Sequence, residues 1–191
     1  MPPVCHKCGK PEPGAQVCSS CFGKHTFLDG VRSVFRFDGA IKQGIYDLKY
    51  HQFKVIAAEL SRLLADYLSS NPIPGEVFVP VPLHSRRMRE RGYNQSGLVA
   101  HELSKLVNLP VVEGSLIRVK NSSPQARSIS AEQRRINVID AFFCKDDRLK
   151  NKHVILIDDV CTSGATLESC AGAAKRGGAI TVWGLTLARE I

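Results

Sequence analysis

The sequence predicts an α/β fold in which a small metal-binding segment precedes a parallel sheet flanked by helices. Residues 77–82 and 154–157 are continuous apolar runs, which suit strands buried on both faces of a sheet. Apolar residues recur at helical spacing after each run, over 95–107 and over 167–174. Four of the seven cysteines lie within the first 21 residues. Because strands and helices alternate, the helices are expected to cover one sheet.

The composition indicates the size and the environment of the protein. With 191 residues and 43% hydrophobic content, we expect one core of useful size with a small appendage. No run of about 18 apolar residues is present, so no membrane span is predicted. Residues 1–8 lack the apolar core of a signal peptide, which predicts a soluble, cytoplasmic protein. The net charge of +8 favours polyanionic partners.

Two Cys-x2-Cys pairs lie close together near the N-terminus: Cys5, Cys8, Cys18 and Cys21. Four thiolates at this spacing can surround one tetrahedral ion, and a short segment without its own core would gain its folding energy from that ion. The spacing therefore predicts a structural zinc ribbon; a redox pair and a site that has lost its metal are the alternatives. Residues 1–28 are predicted to form this segment and residues 29–191 the α/β domain.

Three further elements are predicted within the α/β domain. Apolar residues between 31 and 37 indicate a first strand, with its partner nearby. A long amphipathic helix is predicted over 44–69, and its polar and aromatic first part, residues 46–50, is expected to be solvated. The apolar run at 179–187 predicts a strand that returns parallel to the strand before it.

An acidic pair follows the second apolar run. Asp158 and Asp159 stand where that strand is expected to end. Next comes a small, hydroxyl-rich loop that opens the following helix: Thr162, Ser163, Gly164, Ala165 and Thr166. A helix N-terminus with small residues can bind a phosphate, whereas carboxylates accept hydrogen bonds from sugar hydroxyls. A sugar phosphate satisfies both parts of the motif; an ordinary strand and helix joined by a polar turn is the alternative.

The motif Asp158-Asp159-Val160-x-Thr162-x-Gly164-Ala165-Thr166 resembles the phosphoribosyl pyrophosphate (PRPP) motif of type I phosphoribosyltransferases. The resemblance implies a type I phosphoribosyltransferase-like sheet, in which the two acids are catalytic and hold the ribose hydroxyls. It also implies that residues 162–166 cradle the 5′-phosphate of PRPP.

A basic stretch follows the first apolar run and carries a net charge of +3 over residues 83–95. Arginine suits bidentate phosphate contacts, although a solvated basic loop is the alternative. The sequences of residues 79–84 and 91–95 resemble the ComF family, whose members pair an N-terminal zinc knuckle with a phosphoribosyltransferase domain. The resemblance covers almost the whole chain. It implies that one loop binds the pyrophosphate: Leu83, His84, Ser85, Arg86 and Arg87.

Residues 118–135 form a second basic stretch, with a net charge of +4. The two stretches together account for seven of the eight net charges. The pattern Gln125…Arg134-Arg135…Asn137 also resembles ComF proteins, and the resemblance implies a mobile loop that closes over the pyrophosphate.

The resemblance implies a phosphoribosyltransferase-like protein that binds PRPP with Mg²⁺ and acts in the uptake or use of external DNA, with an unidentified acceptor. Two other functions stay open. The protein could bind single-stranded DNA without catalysis, with PRPP as a regulatory ligand and with Tyr50, Tyr93 and Phe53 as base-stacking candidates, although core packing is expected for Phe53. It could also be a phosphoribosyltransferase of nucleotide salvage.

Overall fold

The structure, a computed structural model, describes residues 3–12, 17–51, 53–119 and 141–190. The strands are β1 (Gly30–Arg36), β2 (Val77–Pro80), β3 (Leu116–Arg118), β4 (Phe142–Cys144), β5 (His153–Cys161) and β6 (Thr181–Arg189). The main sheet has four strands, all parallel, in the order β1-β6-β5-β2. A small antiparallel pair, β3 and β4, forms a separate sheet. The predicted parallel sheet flanked by helices is confirmed.

Five helices flank the sheet in the described part of the chain. They are α1 (Gly39–Tyr50), α2 (Ile56–Ser70), α3 (Ser85–Arg91), α4 (Gln95–Val107) and α5 (Ala165–Arg176). A single 3₁₀ turn, Asp147–Leu149, precedes β5. None of the described helices has the length and the apolar character that a membrane span requires.

Two layers of apolar side chains cover the sheet. On one face, α1, α2 and α4 pack against Ile155 and Ile157 of β5. On the other face, α5 and the β3–β4 pair pack against Val154 and Leu156 of the same strand. All four of these side chains are buried because β5 is a central strand with helices or strands over both faces. This burial explains the continuous apolar run that the sequence shows here.

The prediction of a single helix over residues 44–69 is wrong, because the chain forms two helices there. Helix α1 begins earlier, at Gly39, and ends at Tyr50, and α2 begins at Ile56. Each helix buries a stripe of its own, and α2 is held against α4 by a hydrogen bond of 3.0 Å from Ser61 Oγ to the Val99 carbonyl. The prediction that residues 46–50 are solvated is also wrong in part, since Leu48 is fully buried.

Two strand predictions need correction. Strand β5 does not end before the acidic pair but continues through it to Cys161. Strand β1 finds no partner nearby in the chain, and it pairs with β6 at the far end of the sequence, with Gly30 opposite Trp183. The 179–187 strand does return parallel to β5, as predicted, and it is shifted to Thr181–Arg189. The 95–107 helix is confirmed as α4.

Candidate functional site

Asp159 lies near the carboxyl end of β5 and is almost completely buried, with 5% of its surface exposed. Its Oδ1 accepts an ion-paired hydrogen bond from Lys49 Nζ at 2.8 Å. Its Oδ2 is buried too and has no hydrogen-bond partner among the described residues. Because a buried charge is costly without an opposite charge, Lys49 offsets much of the cost of burying this carboxylate.

Asp158 is half-buried and faces different partners. Its Oδ1 accepts hydrogen bonds from Ser96 Oγ at 3.1 Å and from the backbone N–H of Asp159 at 2.9 Å. Burial and the nearby Asp159 charge raise the pKa of Asp158 to about 7, although its hydrogen bonds and Lys49 act in the opposite direction. This carboxyl group therefore keeps its proton to a higher pH than an ordinary aspartic acid does.

The loop after β5 leads directly into α5. Gly164 occupies the N-cap position with a φ of +82°, which glycine adopts without strain. Thr162, Ser163 and Thr166 are exposed, and the backbone N–H of Ala165 donates to Ser163 Oγ at 3.3 Å. The first-turn amides of α5 have no acceptor within the helix. The loop therefore presents hydroxyl and amide donors at the edge of the sheet next to the acidic pair.

The predicted pyrophosphate loop begins at the same edge. Strand β2 runs beside β5, and the Val81 amide donates to the Ile157 carbonyl at 2.9 Å. Leu83 and His84 follow in the loop, and Ser85 already begins α3, so the loop is shorter than predicted.

The side chains of this loop differ in how strongly they are held. His84 Nδ1 caps α3 by accepting a hydrogen bond from the Arg86 amide at 3.2 Å. Arg86 and Arg87 are both exposed, and Arg86 is paired with Glu90 at 2.7 Å. Arg87 is therefore the more available cation of the two.

The structure adds two residues to the neighbourhood of the acidic pair that the sequence did not indicate, namely Lys49 and Ser96. Both come from the same helical layer, at the end of α1 and at the start of α4. Neither belongs to a local motif, because their contacts with the acids depend on how distant segments pack. The second basic stretch lies mostly outside the described residues, which resume at residue 141.

Aromatic rings and cations form a patch beside α1, in which Lys42, Tyr46 and Tyr50 are exposed and Phe37 and Arg91 are half-buried. We call these five residues the aromatic patch. Its rings are adjacent, with centroids 6.1 Å apart for Phe37 and Tyr46 and 5.6 Å apart for Tyr46 and Tyr50. Lys42 lies 5.7 Å from the Phe37 ring and Arg91 5.4 Å from the Tyr50 ring. Tyr50 is 61% exposed. The patch therefore combines stacking surface with positive charge.

The other two aromatic residues singled out from the sequence behave differently from the expectation. Tyr93 is buried, and its hydroxyl donates to the Leu48 carbonyl, so its ring does not offer a stacking surface. Phe53, for which core packing was expected, is 55% exposed.

The four N-terminal cysteines come together as predicted. Their Sγ atoms all lie within 4.8 Å of one another, and Cys8 Sγ is 3.7 Å from Cys18 Sγ. Burial raises the pKa of the Cys8 and Cys21 thiols. At Cys5 burial acts in the same direction, but hydrogen bonds from backbone amides outweigh it and lower the pKa to about 6. A cluster of this kind can hold a metal ion.

The cysteine segment is attached to the sheet through three contacts. The Lys7 carbonyl accepts the Val31 amide at 2.9 Å, along the outer edge of β1. Arg32 donates to the His6 carbonyl at 3.0 Å. Arg189, at the end of β6, donates to the Cys8 carbonyl. The segment therefore covers an edge of the sheet instead of hanging free.

The fold and the site together define a class: an α/β protein with a parallel sheet, an acidic pair beside a helix N-terminus at one edge of that sheet, and an N-terminal cysteine cluster. Competence protein F of Haemophilus influenzae is 31% identical over 197 residues, which cover 97% of this chain and 85% of that protein. DNA utilization protein YhgH of Salmonella typhi is 30% identical, and the match covers 98% of this chain and 85% of that protein. Competence protein ComFC of Bacillus subtilis is 30% identical, and the match covers 98% of this chain and 78% of that protein. The chain belongs to the ComF family of competence proteins.

Solved structures resemble the chain less closely. Glutamine PRPP amidotransferase from B. subtilis is similar with a TM-score of 0.47 and 17% identity, over 68% of this chain and 25% of that one. Similarity of this extent is too low to assign a function. No family model matches the chain.

Proposed function

We propose that this protein binds PRPP and is a ComF-type, phosphoribosyltransferase-like protein acting in the uptake or use of external DNA. The proposal is carried by one observation: an acidic pair and a helix N-terminus lie next to each other at one edge of a parallel sheet. Open α/β sheets bind ligands at the carboxyl ends of their strands. The names of the relatives, which refer to competence and to DNA utilization, support the DNA role.

The proposed ligand lies along this edge with its charged groups distributed over three segments. The ribose hydroxyls bind at the acidic pair, Asp158 and Asp159. The 5′-phosphate binds at residues 162–166, where amides and hydroxyls point outward. The pyrophosphate binds near residues 83–87, where Arg87 is exposed and Arg86 would first have to leave Glu90.

Mg²⁺ fits this proposal as an ion that arrives with the ligand. Among the described residues, the cysteine cluster is the one group of three or more His, Cys, Asp or Glu side chains close enough to hold a metal. Ribose and pyrophosphate oxygens and water are the ligands that Mg²⁺ prefers. Bound there, Mg²⁺ would stabilise the negative charge of departing pyrophosphate. Arginines of residues 83–87 would stabilise the same charge, and transfer to an acceptor would make the protein a pentosyltransferase.

We further propose that the cysteine cluster holds zinc as a structural ion. Zinc–sulfur bonds of about 2.3 Å in a tetrahedron place the sulfurs roughly 3.8 Å apart. The separation of 3.7 Å between Cys8 Sγ and Cys18 Sγ fits this geometry. Because all four ligands are cysteines, no position is left open for a substrate.

Calorimetric titration of the zinc-loaded protein with PRPP and Mg²⁺ tests the proposed function. We expect binding with a dissociation constant in the micromolar range, about −8 kcal/mol. Titration with ribose 5-phosphate alone should give weaker binding, because that ligand lacks the pyrophosphate. A folded, zinc-loaded sample that takes up no PRPP would remove the enzyme-like function from consideration.

A second candidate function, binding of single-stranded DNA, is favoured by the aromatic patch. Single-stranded nucleic acid is bound by aromatic rings that stack on bases and by cations that follow the backbone. Tyr46 and Tyr50 supply adjacent, exposed rings, and Lys42 and Arg91 supply the charges. In this case PRPP would serve as a regulatory ligand.

Replacing Tyr46 and Tyr50 by Ala is expected to weaken binding of a single-stranded oligonucleotide by at least about 30-fold, since each of two stacked bases contributes roughly 1 kcal/mol or more. Fluorescence anisotropy at several salt concentrations measures the loss. Phe143→Ala, which removes an exposed ring outside the patch, is the control and should bind like the original protein. Equal affinity of the double variant and the control would rule out the patch as the DNA surface.

A further inference from the structure

Arg189, at the end of β6, is a buried cation that has no carboxylate partner in the described part of the chain. The residue is 4% exposed. Its Nη2 donates to the Cys8 carbonyl, and its Nε is sealed from solvent with no hydrogen-bond partner among the described residues. On the surface, by contrast, Arg62 is paired with Glu59 at 2.6 Å. Because a buried charge is costly without an opposite charge, Arg189 requires a negative group nearby.

The cysteine cluster supplies such a charge when it holds zinc. Four thiolates carry more negative charge than one Zn²⁺ ion neutralises, so the whole centre is anionic. Cys8 belongs to this centre, and Arg189 is bound to its carbonyl group. Arg32 also donates to the cysteine segment, at the His6 carbonyl, but it comes from β1 and is only half-buried. Of these two arginines, Arg189 is the one whose buried charge the centre can offset.

Arg189 also lies beside the loop that is proposed to bind the 5′-phosphate, residues 162–166, which we call the phosphate loop. It is the register partner of Cys161 in β5, and the next amide, that of Glu190, donates to the Cys161 carbonyl at 3.1 Å. Burial raises the pKa of the Cys161 thiol, and the charges of Arg189 and Cys8 both act on that thiol, in opposite directions. Arg189 thus connects the cluster with the residue that directly precedes the phosphate loop.

The other side of the phosphate loop is attached to the N-terminal segment as well. Glu168 lies in the first turn of α5, and its amide donates to the Gly164 carbonyl at 2.9 Å. Its carboxylate oxygens accept hydrogen bonds from the amides of Phe27 at 2.7 Å and Leu28 at 3.4 Å. The Phe27 ring packs on Gly172 of α5, where an added Cβ would lie 3.1 Å from the ring. Contacts with the N-terminal segment therefore flank the phosphate loop on both sides.

We propose that Arg189 is a positioning residue that links the cysteine cluster to the phosphate loop, so that a metal ion in the cluster and a phosphate on the loop strengthen each other's binding. This inference rests on the proposed function, because it concerns the 5′-phosphate end of the same PRPP site.

The link acts through the end of β6. With the ion bound, the Cys8 carbonyl holds Arg189, and the adjoining Glu190 amide holds the Cys161 backbone at the start of the phosphate loop. Without the ion this carbonyl is released, Arg189 is left as a buried charge without a partner, and the loop loses a fixed end. By thermodynamic linkage, the effect of zinc on phosphate affinity equals the effect of phosphate on zinc affinity.

Zinc affinity, measured by competition with a chromogenic chelator, tests the link in the presence and absence of ribose 5-phosphate. This probe carries the 5′-phosphate without the pyrophosphate, which would itself compete for zinc. Saturating ribose 5-phosphate should raise the zinc affinity of the original protein by about fivefold or more, and zinc should raise the affinity for ribose 5-phosphate by the same factor. In Arg189→Met both effects should disappear, and Arg189→Lys, which keeps the charge, should restore part of them.

Arg32→Met is the matched control, since it removes an arginine that attaches the cysteine segment to β1 and does not lie beside the phosphate loop. Both methionine variants should bind zinc more weakly than the original protein. In Arg32→Met, however, ribose 5-phosphate should still raise the zinc affinity. The inference is overturned if the effect is lost in both variants, if it persists in Arg189→Met, or if the original protein binds ribose 5-phosphate without any change in zinc affinity.

Hydrogen exchange of the original protein keeps the inference testable if Arg189→Met does not fold. Removal of zinc should speed the exchange of the amides of residues 162–168 and of Glu190, because the phosphate loop loses a fixed end. Unchanged exchange at these amides, or a purified protein that takes up no zinc, would refute the link. If the original protein binds neither PRPP nor ribose 5-phosphate, the proposed function fails, while the exchange measurement still decides whether the cluster holds the loop.

Discussion

Replacement of both Asp158 and Asp159 by Asn is expected to abolish measurable PRPP binding while the protein stays folded. Hydrogen bonds to charged groups contribute about 1.5–3 kcal/mol each, so the loss of the two that the ribose hydroxyls would make with the acidic pair corresponds to roughly 100-fold or more. Calorimetry with Mg²⁺–PRPP measures the loss, and thermal melting verifies the fold.

The pH dependence of the original protein provides a check on the same prediction. The pKa of Asp158 is raised to about 7 from an ordinary value of 3.8, so this carboxyl group takes up a proton as the pH falls below 7. PRPP affinity should therefore decline toward pH 6. In Asp158→Asn this decline should be smaller, since the group no longer titrates. A decline of the same size in both proteins would assign it to the ligand's own phosphates.

The raised pKa of Asp158 also determines in which direction its contribution to folding stability changes with pH. Between pH 4 and 7 the native state holds a proton on Asp158 that the unfolded chain has lost. The contribution of this group to folding is therefore largest at the acidic end of that window and declines as the pH rises through 7.

Removal of the proposed zinc ion is the second change with a large expected effect. The cysteine segment is too short to bury a core, so a chelator should unfold the stretches around the two cysteine pairs, residues 3–12 and 17–23. The sheet would then lose the contacts made by Lys7, His6 and Cys8 with β1 and β6. Three hydrogen bonds correspond to about 2–4 kcal/mol, or a fall in the melting temperature of roughly 5–15 °C at this chain length.

Hydrogen exchange of the Val31 amide and limited proteolysis of the N-terminal segment measure this effect. Cys8→Ser should reproduce the result of the chelator. Cys144→Ser is the matched control, because Cys144 lies outside the cluster and donates to the Asp146 carbonyl at 3.3 Å. Purified protein without bound zinc, or a chelated sample with unchanged exchange and cleavage, would contradict a structural metal site.

Local pattern was enough to predict the parts of the fold that depend on neighbouring residues. The apolar run of β5, the small loop at Gly164 and the helix that follows are all visible as a continuous motif. The cysteine cluster is equally local, since its spacing is a property of 17 consecutive residues, from Cys5 to Cys21. In both cases residues close in sequence determine the structure directly.

Contacts between distant segments were not predictable in the same way. Lys49 belongs to the polar and aromatic stretch 46–50, whose composition predicts a solvated surface, and its partner, Asp159, is 110 positions further along the chain. The burial of Tyr93 was not predictable from local pattern either. This residue is aromatic and lies close to arginines in the sequence, but its hydroxyl donates a hydrogen bond to the buried Leu48 carbonyl.

Both outer edges of the sheet are occupied by segments that are not strands. At β2 the Phe78 amide donates to the Pro110 carbonyl at 2.8 Å, and the Val112 amide donates to the Phe78 carbonyl at 2.8 Å. At β1 the cover is the cysteine segment, through Lys7 and Val31. An uncovered edge strand is a template for pairing between molecules, and such pairing leads to aggregation. Removal of the proposed zinc should therefore uncover β1 and favour association between molecules. Light scattering during chelation should then show a rise in average particle size that is larger at higher protein concentration.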